Sequence, residues 1–343
     1  MSSKSVAAPG RRLDPAAEGS RHAALRLAFG VTACFAIVEA LDWDATFLAP
    51  MLAANMLVKP RPPTLTQGIV FVVLFALSTG AVLAVTAALI SNLVVLILAL
   101  TLLLYLSFYS HRRGAPDVAT LLPQISAVSL PVVSVLSPEA AGAFAATLVS
   151  AGVVALLTVW AAHAAFPVPA AAGDAATPTI GTLPDQPVVA ARLALLDTLV
   201  LLPVLTWFIL DASQLAVVVL IVIVTLLRQT DRQKGQGAAL GLILGNLIGG
   251  VAAAVAYNLV LLGHTFLFFI TVCLAASLTF AGRIATAGDR APMYVIALVT
   301  FILLLGLGLS PLPGGSSEAF LSRLLNVIAA SAYVVGALSL VER

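Results

Sequence analysis

Asp197, Asn246 and Arg323 stand in stretches that are otherwise hydrocarbon: LALLDTLVLL, LGLILGNLIGG and FLSRLLNV. A charge or an amide in a bilayer is costly unless a partner, a ligand or water answers it, so these side chains are where chemistry is to be sought. For Asp197 two readings stand: an ion pair with Arg192 or a neighbouring loop arginine, or a protonatable carboxylate that couples proton movement to the protein's work. For Arg323 the choice is between snorkelling to the outer headgroups and holding a substrate carboxylate through a forked, charge-assisted bond, with Asn326 one turn below on the same face. Asn246, Gly250, Ala254 and Asn258 form one row of a helix that Tyr257 closes near one end. That row serves an interhelical hydrogen bond, a ligand or a water-filled cavity. Asn55 follows Pro50 in a short apolar segment, where the proline either kinks the helix or ends a half-helix whose freed backbone groups line a cavity beside Asn55.

The element that positions Asn246 runs from Gly237 to Tyr257, with Gly237, Gly241, Gly245, Gly249 and Ala253 at every fourth position. In a water-facing helix each glycine costs about 1 kcal/mol relative to alanine. Within a bilayer the same spacing lets two helix backbones touch. The segment therefore reads as a membrane helix packed against partners, entered through the charged elbow Arg228 to Gly237.

Composition agrees. Of 343 residues 61% are hydrophobic and only 9% charged, against about 25% charged in soluble domains. The chain reads as an all-α polytopic membrane protein. Residues 1–23 carry Lys4, Arg11, Arg12 and Arg21 without an apolar core, which predicts a disordered cytoplasmic tail and not a cleaved signal peptide. Cys34 and Cys273 lie in apolar runs and read as small core residues. His22, His111, His163 and His264 are scattered without metal-ligand spacing, and Gly-Gln-Gly at 235–237 is a turn, not a phosphate cradle. The expectation is a protein that is not an enzyme and carries no cofactor or metal.

Twelve apolar runs follow in order: 25–41, 47–58, 65–90, 93–109, 118–136 and 140–166, then 188–210, 215–227, 237–262, 265–281, 291–309 and 319–341. The second and eighth fall short of the roughly 20 residues a full crossing needs. Counting all twelve as crossings from a cytoplasmic N-terminus puts Lys59, Arg61, Arg112, Arg113, Arg228, Arg232, Lys234, Arg283 and Arg290 inside. Asp42, Asp44, Glu139, Asp211 and Glu318 fall outside, with Arg323 the one basic residue there. Both termini are then cytoplasmic. Trp43, Trp160 and Trp207, near span ends, read as interface anchors.

The chain also repeats. Arg26-Leu-Ala is echoed by Arg192-Leu-Ala, Asp44-Ala-Thr by Asp211-Ala-Ser, and Gln67-Gly68 by Gln236-Gly237; Gly80 and Gly249, and Pro123 and Pro292, keep the offset of the glutamines. This predicts a first transmembrane repeat over 24–166, a cytoplasmic linker over 167–187 and a second repeat over 188–341. About 12 transmembrane helices then form two parallel six-helix repeats, with the path for a ligand where they face each other.

Two such halves, each opening on Arg-Leu-Ala, resemble the fusaric acid resistance and aromatic acid exporter superfamily. The likeness rests on Phe47-Leu-Ala-Pro50 with Lys59-Pro-Arg-Pro-Pro63, on Gly245-Asn-Leu-Ile-Gly-Gly250 through Tyr257, and on Phe320-Leu-Ser-Arg323. It implies an exporter of small, mainly aromatic, carboxylic acids in the bacterial inner membrane, often working with a periplasmic adaptor of the membrane-fusion type. The superfamily is also similar to plant malate channels, which implies an anion path. Larger members carry a sizeable soluble domain between the halves; here only 167–187 stands there, so the chain resembles a compact branch. The substrate-binding set expected is Asn55, Asn246, Gly250, Tyr257, Arg323 and Asn326, with Asp197 for proton coupling. The partners expected are a small organic anion, the lipid bilayer, a periplasmic adaptor and a second copy of the chain, with no nucleic acid. A passive anion channel and a non-transporting scaffold for an adaptor stand as alternatives.

Overall fold

The computed structural model describes residues 15–43, 45–115, 117–167, 187–211, 216–229, 236–263 and 265–309, with 329, 332–334, 336 and 337. Every regular element among them is helical. The order is α1 (Pro15–Ala40), α2 (Leu48–Leu57), α3 (Leu65–Leu89), α4 (Leu93–Arg112), α5 (Asp117–Leu136), α6 (Pro138–Ala165), α7 (Pro187–Asp211), α8 (Ala216–Gln229), α9 (Gln236–Leu262), α10 (Phe266–Thr286) and α11 (Ala291–Leu309). Nine of these, all but α2 and α8, are long and apolar enough to cross a bilayer. The architecture is that of a multi-pass membrane protein. Arg323 and Asn326 lie outside the described residues, as does most of the expected linker.

Burial sorts the helices into an inner and an outer set. In α5 and α11, 72% and 67% of the most apolar window is buried by other helices, against 28% in α3 and α4, whose exposed leucines and valines face outward. Around this core α1 packs on α10, α4 on α7, α3 on α5 and α9 on α11, while α5 meets α8 and α11 meets α2.

The two short helices belong to the core. Nine of the ten residues of α2 are buried. A helix of that length rises only about 15 Å. Near its start Thr46 donates to the carbonyl of Gly306 close to the end of α11. Just beyond its end the carbonyl of Lys59 lies by Arg26, early in α1. Segment 58–64 is fastened by Trp160, whose indole N–H donates to Pro63 O at 2.8 Å. Trp160, expected at the lipid interface, is thus half-buried in the bundle, whereas Trp207 is 67% exposed.

Two expectations are corrected. Helix α1 starts at Pro15, so residues 15–23 are helical where a tail was expected; Ala16, Ala17 and Glu18 are suited to a first turn that proline opens. Pro50 stands in the first turn of α2 and does not end a half-helix, because a proline there forfeits no intrahelical hydrogen bond. The repeated Gln-Gly step also gains a local cause in its first copy. Thr64 and Gln67 form a reciprocal capping box (2.9 and 3.3 Å) that starts α3. A side chain at Gly68 would strike the Trp160 ring at 2.5 Å.

Candidate functional site

One cluster of polar residues forms where α4 and α5 meet α7 and α8. Arg112, the last residue of α4, donates from Nε (3.0 Å) and Nη2 (2.7 Å) to one carboxylate oxygen of Asp197. Its Nη2 also points at the carbonyl of Leu227 on α8, at 3.5 Å. Asp197 is 0% exposed. It stands about 15 Å along α7 from Pro187 by the usual helical rise, level with the last residue of α4. A guanidinium suits this position because it stays charged and its fork engages the carboxylate with two donors.

One turn of α8 supplies the second arginine. Arg228 Nη1 donates to Thr120 Oγ1 and to Gln124 Oε1, each at 2.9 Å, both on α5. Ser107 donates to the Thr120 carbonyl at 3.0 Å, and the His111 ring nitrogen lies 3.4 Å from the Thr120 hydroxyl. The amide nitrogen of Gln124 is buried and has no partner. This N–H group, beside a guanidinium, would donate to an anionic oxygen. Thr120, Gln124, Ala127, Pro131 and Ser134 recur at three- and four-residue steps, so they share one face of α5, and all are buried. Thr120 and Gln124 at its start meet Arg228 of α8.

The sequence-predicted residues fall into separate groups. Asp197 joins the cluster just described. Asn246 is 3% exposed; it donates to Leu242 O at 3.0 Å and accepts from Thr300 Oγ1 of α11 at 2.5 Å. The amide thus links α9 to α11. A small cavity beside it, lined by Thr225, Asn246, Thr300 and apolar residues of α8 and α11, has room for about one water. Gly250 and Tyr257 are buried on the same helix, and Asn55 is half-buried and donates one turn back to Met51 O at 3.0 Å. The structure therefore brings Asp197 to Arg112, and Asn246 to Thr300.

The coupling between Asn246 and Thr300 is measurable. A double-mutant cycle over Asn246→Ala and Thr300→Val, read by unfolding in detergent, is expected to give about 0.6–1.7 kcal/mol, the range found for hydrogen bonds between membrane helices.

Sequence reasoning used Arg112 and Arg228 only to set sidedness and did not place Thr120 or Gln124 in a site. The signal was present: a polar stripe at helical spacing in an apolar span, with arginines at the adjoining span ends.

Comparison with known proteins reaches part of this arrangement. Residues 23–162 match a family model described as protein of unknown function (DUF2955). No curated protein and no solved structure matches the chain. The matched segment begins within α1 and ends within α6, so it covers the six helices of the first half and none of the second.

Proposed function

We propose that the protein is a membrane transporter for small organic anions, aromatic carboxylates foremost, and that the seam between its halves is the path. The observation that carries this is the Arg112–Asp197 ion pair, which joins the end of α4 to the buried Asp197 of α7 and lies in a cluster with the unpartnered Gln124 amide. Charges inside a membrane span are expensive to keep, and function is the usual reason for keeping them. The pair also acts as a lock. A proton on Asp197 removes the charge that holds Arg112, loosens α4 from α7, and so ties proton movement to opening of the seam.

The architecture supports alternating access. Pairings recur six elements on: α1 with α10 against α7 with α4, α3 with α5 against α9 with α11, and α5 with α8 against α11 with α2. We take this as two parallel six-helix repeats, the second completed by a span over 319–341. The match that stops within α6 fits the same division. The resemblance to the aromatic acid exporters adds the direction, export across the bacterial inner membrane with a periplasmic adaptor.

Inverted vesicles containing the protein are expected to accumulate labelled benzoate when energised and to lose most of that accumulation with an uncoupler. Benzoate movement that is indifferent to the uncoupler and follows the anion's own gradient would assign a channel. No movement above empty vesicles across a panel of aromatic acids would count against both.

A further inference from the structure

A third arginine lies away from the seam and is more deeply buried than Arg112 or Arg228. Arg26 on α1 is 2% exposed, and its Nε and Nη1 have no hydrogen-bond partner. Its Nη2 reaches only the Lys59 carbonyl, at 3.5 Å. A buried guanidinium with two of three nitrogens unanswered is costly by several kcal/mol, and such a group implies a counter-charge that binds there.

Its surroundings are built from three helices. His22 is one turn before Arg26 on the same face of α1, and its Nδ1 is buried without a partner. From α6 comes His163, 8% exposed, whose Nδ1 lies 2.9 Å from the carbonyl of Val159. A carbonyl only accepts, so Nδ1 carries the proton, and Nε2, buried and unpartnered, is left facing the same region. Arg26 and His163 are electrostatic neighbours, both directed at the Lys59 carbonyl. One turn deeper on the α1 face, Gly30 forms a floor: a side chain there would meet Leu57 of α2 at 2.3 Å and Ala162 of α6 at 3.4 Å. Protonated, the His163 Nε2 donates and complements the guanidinium around one oxyanion; neutral, it accepts only from an oxygen that carries a proton, as on a phosphate O–H.

We propose that Arg26, His22 and His163 form an oxyanion site at the end of the first half where α1 begins, taking the carboxylate or phosphate group of a small anion or of a lipid headgroup. The site is distinct from the seam cluster and does not depend on transport. It also separates the two copies of the Arg-Leu-Ala step, since Arg192, the counterpart of Arg26, is exposed.

The test uses the full chain in nanodiscs. In phosphatidylcholine discs, inorganic phosphate and benzoate are titrated separately while the thermal midpoint is followed; discs with added phosphatidylglycerol are measured without soluble anion. A midpoint rise with either soluble anion identifies a free ligand, and a rise with phosphatidylglycerol alone identifies a headgroup. In both cases the apparent affinity should fall about tenfold or more in Arg26→Gln, the scale of a lost charge-assisted contact, and less steeply in His163→Asn. Should Arg26→Gln fail to fold, His163→Asn decides. A wild-type midpoint that no anion or anionic lipid moves, or a rise of equal affinity in the folded variants, would overturn the proposal.

Discussion

Asp197→Asn is expected to abolish transport and to cost the fold about 3–5 kcal/mol, the penalty of leaving one partner of a buried ion pair alone. The carboxylate is 1% exposed and Arg112 14%, so solvent screens the contact little. Arg112→Gln should cost a similar amount, and Arg112→Lys should not rescue it fully, because a lysine lacks the fork that engages the carboxylate. The informative variant is Arg112→Met combined with Asp197→Leu. An apolar pair of similar volume often restores or exceeds the original stability, so this double variant should fold in detergent as well as the parent yet transport nothing. If it transported normally, the pair would be scaffolding alone.

Gly249→Val is expected to prevent stable folding. Even a Cβ at this position would lie 2.3 Å from the carbonyl oxygen of Ala297 and 2.9 Å from the Thr300 Cβ, so α9 and α11 would have to part. Backbone cannot yield as a flexible side chain does, and overpacking of even ordinary cores costs about 1–3 kcal/mol. Gly80, its counterpart in the first half, has nothing within 4 Å of an added Cβ. Gly80→Ala should therefore be neutral or stabilising by up to about 1 kcal/mol. Fluorescence-detected size exclusion of the two variants checks the contrast; equal behaviour would mean that the α9–α11 contact is not the close one described.

These variants also show how far the chain is legible without coordinates. The glycine row of α9 announces close packing because only small residues let backbones touch, and Gly245 and Gly249 do meet the backbone of α11. It does not name the partner, since many apolar faces are equally suitable in hydrocarbon. Of the readings open for Asn246, an interhelical hydrogen bond, a ligand or a water-filled cavity, the structure shows the hydrogen bond, from Thr300 of α11. Asp197 stood out as a charge in an apolar run, but its partner lies 85 residues away, on a helix that reaches α7 only through the fold. Arg26 was legible as half of a repeated motif. Its burial was not, because the repeat predicts like surroundings and the two copies differ: α2 and α6 close over Arg26, while Arg192 is left exposed.

The path itself is tested most directly by cysteine accessibility along α5. Native Cys34 and Cys273 are both 0% exposed, which keeps the background low. Ala127→Cys and Ser134→Cys lie on the stripe, and Ser129→Cys lies on the opposite face. In energised inverted vesicles a charged methanethiosulfonate should modify the first two, benzoate should slow that modification, and Ser129→Cys should remain unmodified. Modification of the stripe no faster than at Ser129→Cys, with or without benzoate, would contradict the seam as the path.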